Sequence, residues 1–121
     1  MTPLSLRSGR LEVGIDPVAG GSLTRCTWDG SDVLRPGKGT QGAAYPLVPF
    51  SNRIANGRFE FDGRVVDVPR NWPDPAVRHP MHGDGWAACW RVLDATATTA
   101  AIAYEHDGSH GWPFRYRAVQ E

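Results

Sequence analysis

The sequence has 121 residues, 40% hydrophobic and 21% charged, with 13 basic and 13 acidic side chains. That length suits one domain, and the composition is too apolar for a disordered chain and too polar for a membrane protein. The charge balance argues against a nucleic-acid binder held by clustered positive charge. The longest uncharged run, Thr40 to Asn52, contains Gly42, Pro46 and Pro49 and so cannot be a spanning helix. Cys26 and Cys89 are too few for a disulfide framework or a four-cysteine zinc site. Both read as small buried apolar side chains. With no basic and apolar leader at the start, a cytoplasmic location is expected.

Fourteen glycines and ten prolines point to a loop-rich, all-β chain. Leu11, Val13 and Ile15 alternate with Glu12 and Gly14 as a strand does. Leu23 to Trp28 leads through Asp29-Gly30 to Val33-Leu34, and Asp-Gly between two such runs signals a hairpin, because a type I′ turn needs positive φ at both central positions. The clearest hairpin is Arg58 to Val68 around Asp62-Gly63, whose two-residue loop sets Phe61 opposite Arg64, Phe59 opposite Val66 and Arg58 opposite Asp67. Asp94 to Tyr104 is alanine-rich, but its threonines and the shared parity of Ile102 and Tyr104 favour a strand over a helix. Trp90 to Leu93, Ala97 to Glu105 and Phe114 to Val119 read as three further strands, with a turn at Asp107-Gly108. Ala43 to Gly57 and Pro69 to Trp86 do not read as strands, and irregular stretches this long in a compact domain are usually functional or disordered. A domain seldom ends on a strand with no return, so the chain reads as part of a longer protein. The alternative is a small complete sandwich with an edge strand at Phe114 to Val119.

Four clusters could carry chemistry. Ser51 to Arg58 packs Asn52, Arg53, Asn56 and Arg58 into eight residues before a hairpin, an array of amides and guanidinium forks suited to a neutral polyhydroxylated ligand, or else ordinary loop caps and surface arginines. His82-Gly83-Asp84-Gly85-Trp86 offers an imidazole beside glycines that let backbone approach a ligand, with Trp86 and Trp90 as indole platforms or as core. His79 and His82 sit three apart, but Pro80 between them rules out a helical ligand pair and no third ligand follows, so no metal is expected. Ser109 and His110 are adjacent, but without a Gly-x-Ser-x-Gly elbow they read as a turn, their side chains pointing apart.

The sequence resembles the aldose 1-epimerase (galactose mutarotase) family. The resemblance lies in Tyr45 to Ile54, Asn56 to Gly63, and His82 to Trp86 with Trp90 behind. Weaker support comes from Gly20-Gly21 and from Gly111 to Phe114. It spans nearly all 121 residues but only the N-terminal part of the family's domain, so residues 1–121 are expected to be the N-terminal part of one domain. It implies an antiparallel β-sandwich of the galactose mutarotase-like supersandwich type, incomplete here. It also implies interconversion of the α and β anomers of free aldoses by acid and base ring opening. No cofactor and no metal is implied. Arg53 resembles the arginine that binds sugar hydroxyls, and Asn52 beside it shares that role. His82 resembles the first histidine, a catalytic and substrate-contacting residue, and Trp86 would face the ring. The family's second histidine, aspartate and glutamate base have no counterpart, so the chain alone is expected to be inactive. The alternative is a non-catalytic carbohydrate-binding module. The expected partner is a small aldohexose such as galactose or glucose, with no nucleic acid and no membrane, and homo-oligomers through exposed strand edges.

Overall fold

A computed structural model describes residues 2–121. Nine strands and three short 3₁₀ turns make up its regular structure. The strands are β1 (Leu4–Ser8), β2 (Leu11–Asp16), β3 (Ser22–Trp28), β4 (Ser31–Leu34), β5 (Arg58–Phe61), β6 (Arg64–Asp67), β7 (Arg91–Ala95), β8 (Ala100–His106) and β9 (Tyr116–Gln120). All pairing between these strands is antiparallel. The strands form a meander β1-β2-β3-β4, a hairpin β5-β6 and a three-stranded sheet β7-β8-β9. Among the described residues no helix is long and apolar enough to cross a membrane.

The Asp-Gly turns form as their chemistry requires, with φ of +50° and +82° at Asp29-Gly30 and +50° and +71° at Asp62-Gly63. The β5-β6 register pairs Phe61 with Arg64, Phe59 with Val66 and Arg58 with Asp67, the last closing an ion pair at 2.8 Å. Both ends of that pair are exposed, so it fixes register more than it stabilises.

One strand, two strand starts and the burial of both cysteines differ from the sequence reading. β1 was not anticipated, because Leu4 and Leu6 alternate over too few residues to stand out. The strand expected from Ala97 begins at Ala100, since the Thr96 and Thr99 hydroxyls close a turn at 2.7 Å. The last strand begins at Tyr116 because Phe114 packs against Phe61 and Trp112 instead. Cys89 is exposed and Cys26 half-buried, not buried as expected. The Trp90 N–H donates to the Pro17 carbonyl and its ring turns inward, so Cys89 before it faces out.

The core gathers under the site-bearing loops. Trp90 is 1% exposed and Ile102 2%, with Met81, Val66 and Ala103 also buried. β9 pairs with β8 on one side only and is an edge. The apolar groove between the first sheet and β8 is lined by Leu6, Val13, Ile15, Leu23 and Ile102.

Candidate functional site

The two irregular stretches run side by side. Arg53 bridges Met81 in antiparallel fashion, and Val48 bridges Gly83 in parallel. The His82 N–H donates to the Asn52 carbonyl at 3.0 Å, and the Asp84 and Gly85 N–H groups both donate to the Val48 carbonyl. Asn71 serves as a substitute strand for the other side. Its Oδ1 accepts from the Met81 N–H at 2.7 Å, and its Nδ2 donates to the carbonyls of Met81 and Gly83. Backbone that would otherwise lack partners is thereby satisfied without regular sheet.

The turn is held in left-handed conformations, with φ of +65° at Asn52, +59° at His82 and +64° at Gly83. Asn and His tolerate that region better than most residues. At Gly83 a Cβ would collide with the Val48 carbonyl oxygen, so the close approach of the two stretches needs glycine there.

This backbone brings Asn52, Arg53 and His82 together. The Asn52 N–H donates to Nδ1 of His82 at 2.8 Å. A ring nitrogen that accepts carries no proton, so the neutral imidazole has its hydrogen on Nε2. Burial lowers the His82 pKa, and the nearby Arg53 guanidinium lowers it further. His82 is therefore a neutral hydrogen-bond donor through Nε2. Arg53 is exposed and makes no ion pair among the described residues, so its five donors are free for a ligand.

Aromatic rings flank the imidazole. Trp72 lies 5.5 Å from His82 and Tyr45 6.2 Å, both edge-on, and Trp86 lies 5.1 Å from Trp72. The Trp86 indole is fixed by its N–H to the Gly83 carbonyl. Trp90, the other indole considered, is core, its N–H donating to the Gly85 carbonyl. Sequence reasoning missed Trp72 and Asn71. The only signal was their place in the proline-rich stretch 69–86, where no periodicity singles out a residue.

The remaining candidates go elsewhere. His79 accepts the Asn56 N–H at 2.8 Å through Nδ1, the same kind of contact as Asn52–His82. Ser109 and His110 do not point apart as expected: His110 has φ of +55°, and the Ser109 hydroxyl meets its Nδ1 at 2.6 Å. The pair is a turn contact. Among the described residues no group of His, Cys, Asp and Glu could hold a metal ion.

A family model described as aldose 1-epimerase matches residues 4–121. The uncharacterized protein YphB of Escherichia coli is 34% identical over 124 residues, which cover 99% of this chain and 41% of YphB. The crystal structure of a protein assigned as an aldose 1-epimerase from the same bacterium superposes with a TM-score of 0.87 at 32% identity, over 98% of this chain and 40% of that one. A galactose mutarotase related enzyme from Lactobacillus acidophilus gives a TM-score of 0.73 at 14% identity, over 98% and 37%. The latter likeness is one of fold. The chain spans about two fifths of the length of these relatives.

Proposed function

This chain belongs to the aldose 1-epimerase family, and from that premise we propose that Asn52, Arg53 and His82 bind the hydroxyl groups of a free aldose such as galactose or glucose. The observation that carries this reading is the contact between the Asn52 N–H and His82 Nδ1, which puts the remaining imidazole N–H on Nε2, with the unpaired Arg53 guanidinium nearby. Arg53 and the Asn52 amide supply the donors and acceptors that sugar hydroxyls need. Trp72 and Trp86, packed 5.1 Å apart and tilted by 59°, supply apolar indole surface for the C–H face of the ring.

Anomer interconversion requires a proton to leave the anomeric hydroxyl while the ring oxygen gains one. His82, neutral and protonated on Nε2, stabilises charge developing on a sugar oxygen by donating a hydrogen bond; it is not the base. The carboxylate closest to it in sequence, Asp84, is committed to other donors on β8 and β9. The base of the reaction thus lies outside these site residues. Residues 1–121 then form the N-terminal part of one sandwich domain, holding the sugar grip without the full proton relay.

Asp84's commitment also favours a second reading, a carbohydrate-binding module without turnover. Both readings take a sugar and no cofactor. The unpaired cysteines fit a cytoplasmic setting. The open edge of β9 and the apolar groove beside it favour self-association. Titrating galactose or glucose while following tryptophan emission tests the sugar grip. A saturable change, absent in Arg53→Ala, supports it; an unresponsive spectrum contradicts it.

A further inference from the structure

Behind the His82 turn lies a second polar cluster that the sugar grip does not use. Asp84 Oδ2 accepts from the Tyr104 hydroxyl at 2.6 Å and lies 2.7 Å from His106 Nδ1, and its Oδ1 accepts from the Tyr116 hydroxyl. His106 is 5% exposed, and its Nε2 lies 2.7 Å from the Trp112 carbonyl oxygen. A carbonyl only accepts, so Nε2 carries a hydrogen. A carboxylate only accepts, so Nδ1 carries the other, and the ring is an imidazolium. Burial opposes that charge, but the Trp112 carbonyl, Asp84 and Asp107 outweigh it and leave the His106 pKa raised. Burial and then Asp84 push both tyrosine hydroxyls up, keeping them protonated donors. The His106 ring stacks on Tyr116 at 5.2 Å and 12°, which fixes its plane.

We propose that Asp84 is a positioning residue for the sugar site, clamping the turn at residues 82–85 onto β8 and β9 so that His82 Nδ1 stays on the Asn52 N–H. The proposal rests on the sugar-binding reading given above. The turn has two successive residues in left-handed conformations, and such strain persists only where the surroundings over-determine it. Main-chain bonds to Val48 and the Asn71 amide hold its near side. The Trp86 and Trp90 indole N–H groups hold the Gly83 and Gly85 carbonyls, while Asp84 ties the turn to the sheet, all three of its donors coming from there, Tyr104 and His106 from β8 and Tyr116 from β9. Only Gly83 separates it in sequence from the imidazole it would steady. A carboxylate whose role was only to stabilise the sheet would leave the His82 tautomer indifferent to its loss.

The test uses the 121-residue chain with Asp84→Asn and Tyr116→Phe. The His82 ring nitrogens are read by two-bond proton–nitrogen correlation, and galactose is titrated in parallel. In the unaltered protein His82 shows the Nε2–H tautomer. In the variants its two nitrogen signals move toward those of a tautomer mixture, and galactose affinity falls roughly tenfold, the scale of one charge-assisted hydrogen bond. If Asp84→Asn does not fold, Tyr116→Phe, which removes one hydroxyl, gives the same shift in smaller measure. His82 signals unchanged in a folded variant, however far its unfolding midpoint drops, overturn the proposal. An unaltered protein that ignores galactose would sink the sugar reading while leaving the ring signals to decide the role of Asp84.

Discussion

The main-chain N–H of Asn52 donates to Nδ1 of His82 across thirty residues of sequence. Protonating His82 would put a hydrogen where that bond needs a lone pair, so this contact and a charge on the histidine exclude one another. The folded pKa lies below the usual value of about 6.5 because of burial and Arg53. Whatever stability the neutral ring contributes is therefore present above about pH 6.5 and lost as pH falls through the lower folded value. Sugar affinity is expected to hold from neutral pH down to that point and then drop. An NMR titration of the His82 ring proton checks this, with a midpoint below that of an exposed histidine expected and one above it contradicting the assignment.

Arg53→Ala is expected to cost at least about tenfold in galactose affinity, the scale of hydrogen bonds to a charged group. Arg53 is exposed and unpaired among the described residues, so the unfolding free energy should change by no more than about 0.5 kcal/mol. Arg53→Lys should recover little, because a point charge does not replace a planar fork. Calorimetric titration beside urea unfolding separates the two effects.

His106 gives the opposite pH signature. Its folded pKa is raised, so its stabilising contribution is complete below about pH 6.5 and is lost as pH climbs through the folded value. His106→Gln should cost about 3 kcal/mol at pH 6, the low end for a broken buried pair because the Asp84 side chain is 35% exposed. The gap between the two proteins should narrow as pH rises. Denaturant unfolding at pH 6 and pH 9 measures it, and a gap that widens with pH would contradict the imidazolium.

The 121 residues alone are expected to leave the mutarotation of α-galactose close to its rate in buffer, since Asp84 is occupied by Tyr104, Tyr116 and His106. A positioned proton-transfer group is worth roughly 10²–10⁴-fold, so polarimetry would show its presence clearly. Clear acceleration would mean that a base acts within these residues.

Local chemistry made the β5-β6 hairpin legible down to its register, because Asp62-Gly63 leaves one turn geometry open and the flanking residues alternate. The same short-range logic read the Asp29-Gly30 turn. It could not see β1, whose partner only becomes visible once β2 is in place. The placing of Arg53 near His82 came from family resemblance, since nothing in their spacing reveals that Asn52 and His82 share hydrogen bonds. Asn71 and Trp72 lay in a proline-rich stretch without period. The Asp84–His106 pair joins residues 22 apart through a turn and a strand, a link that depends on tertiary packing.

The most direct measurement is a proton–nitrogen NMR titration of the 121-residue chain with galactose, reading the His82 Nε2–H, the Arg53 Nε–H and the indole N–H groups of Trp72 and Trp86. We expect these signals to shift together along one saturation curve while the Trp90 indole, locked in the core, stays in place. Galactose that leaves the His82 and Arg53 signals unmoved, or that shifts only residues of the groove lined by Leu6 and Ile102, would contradict the account.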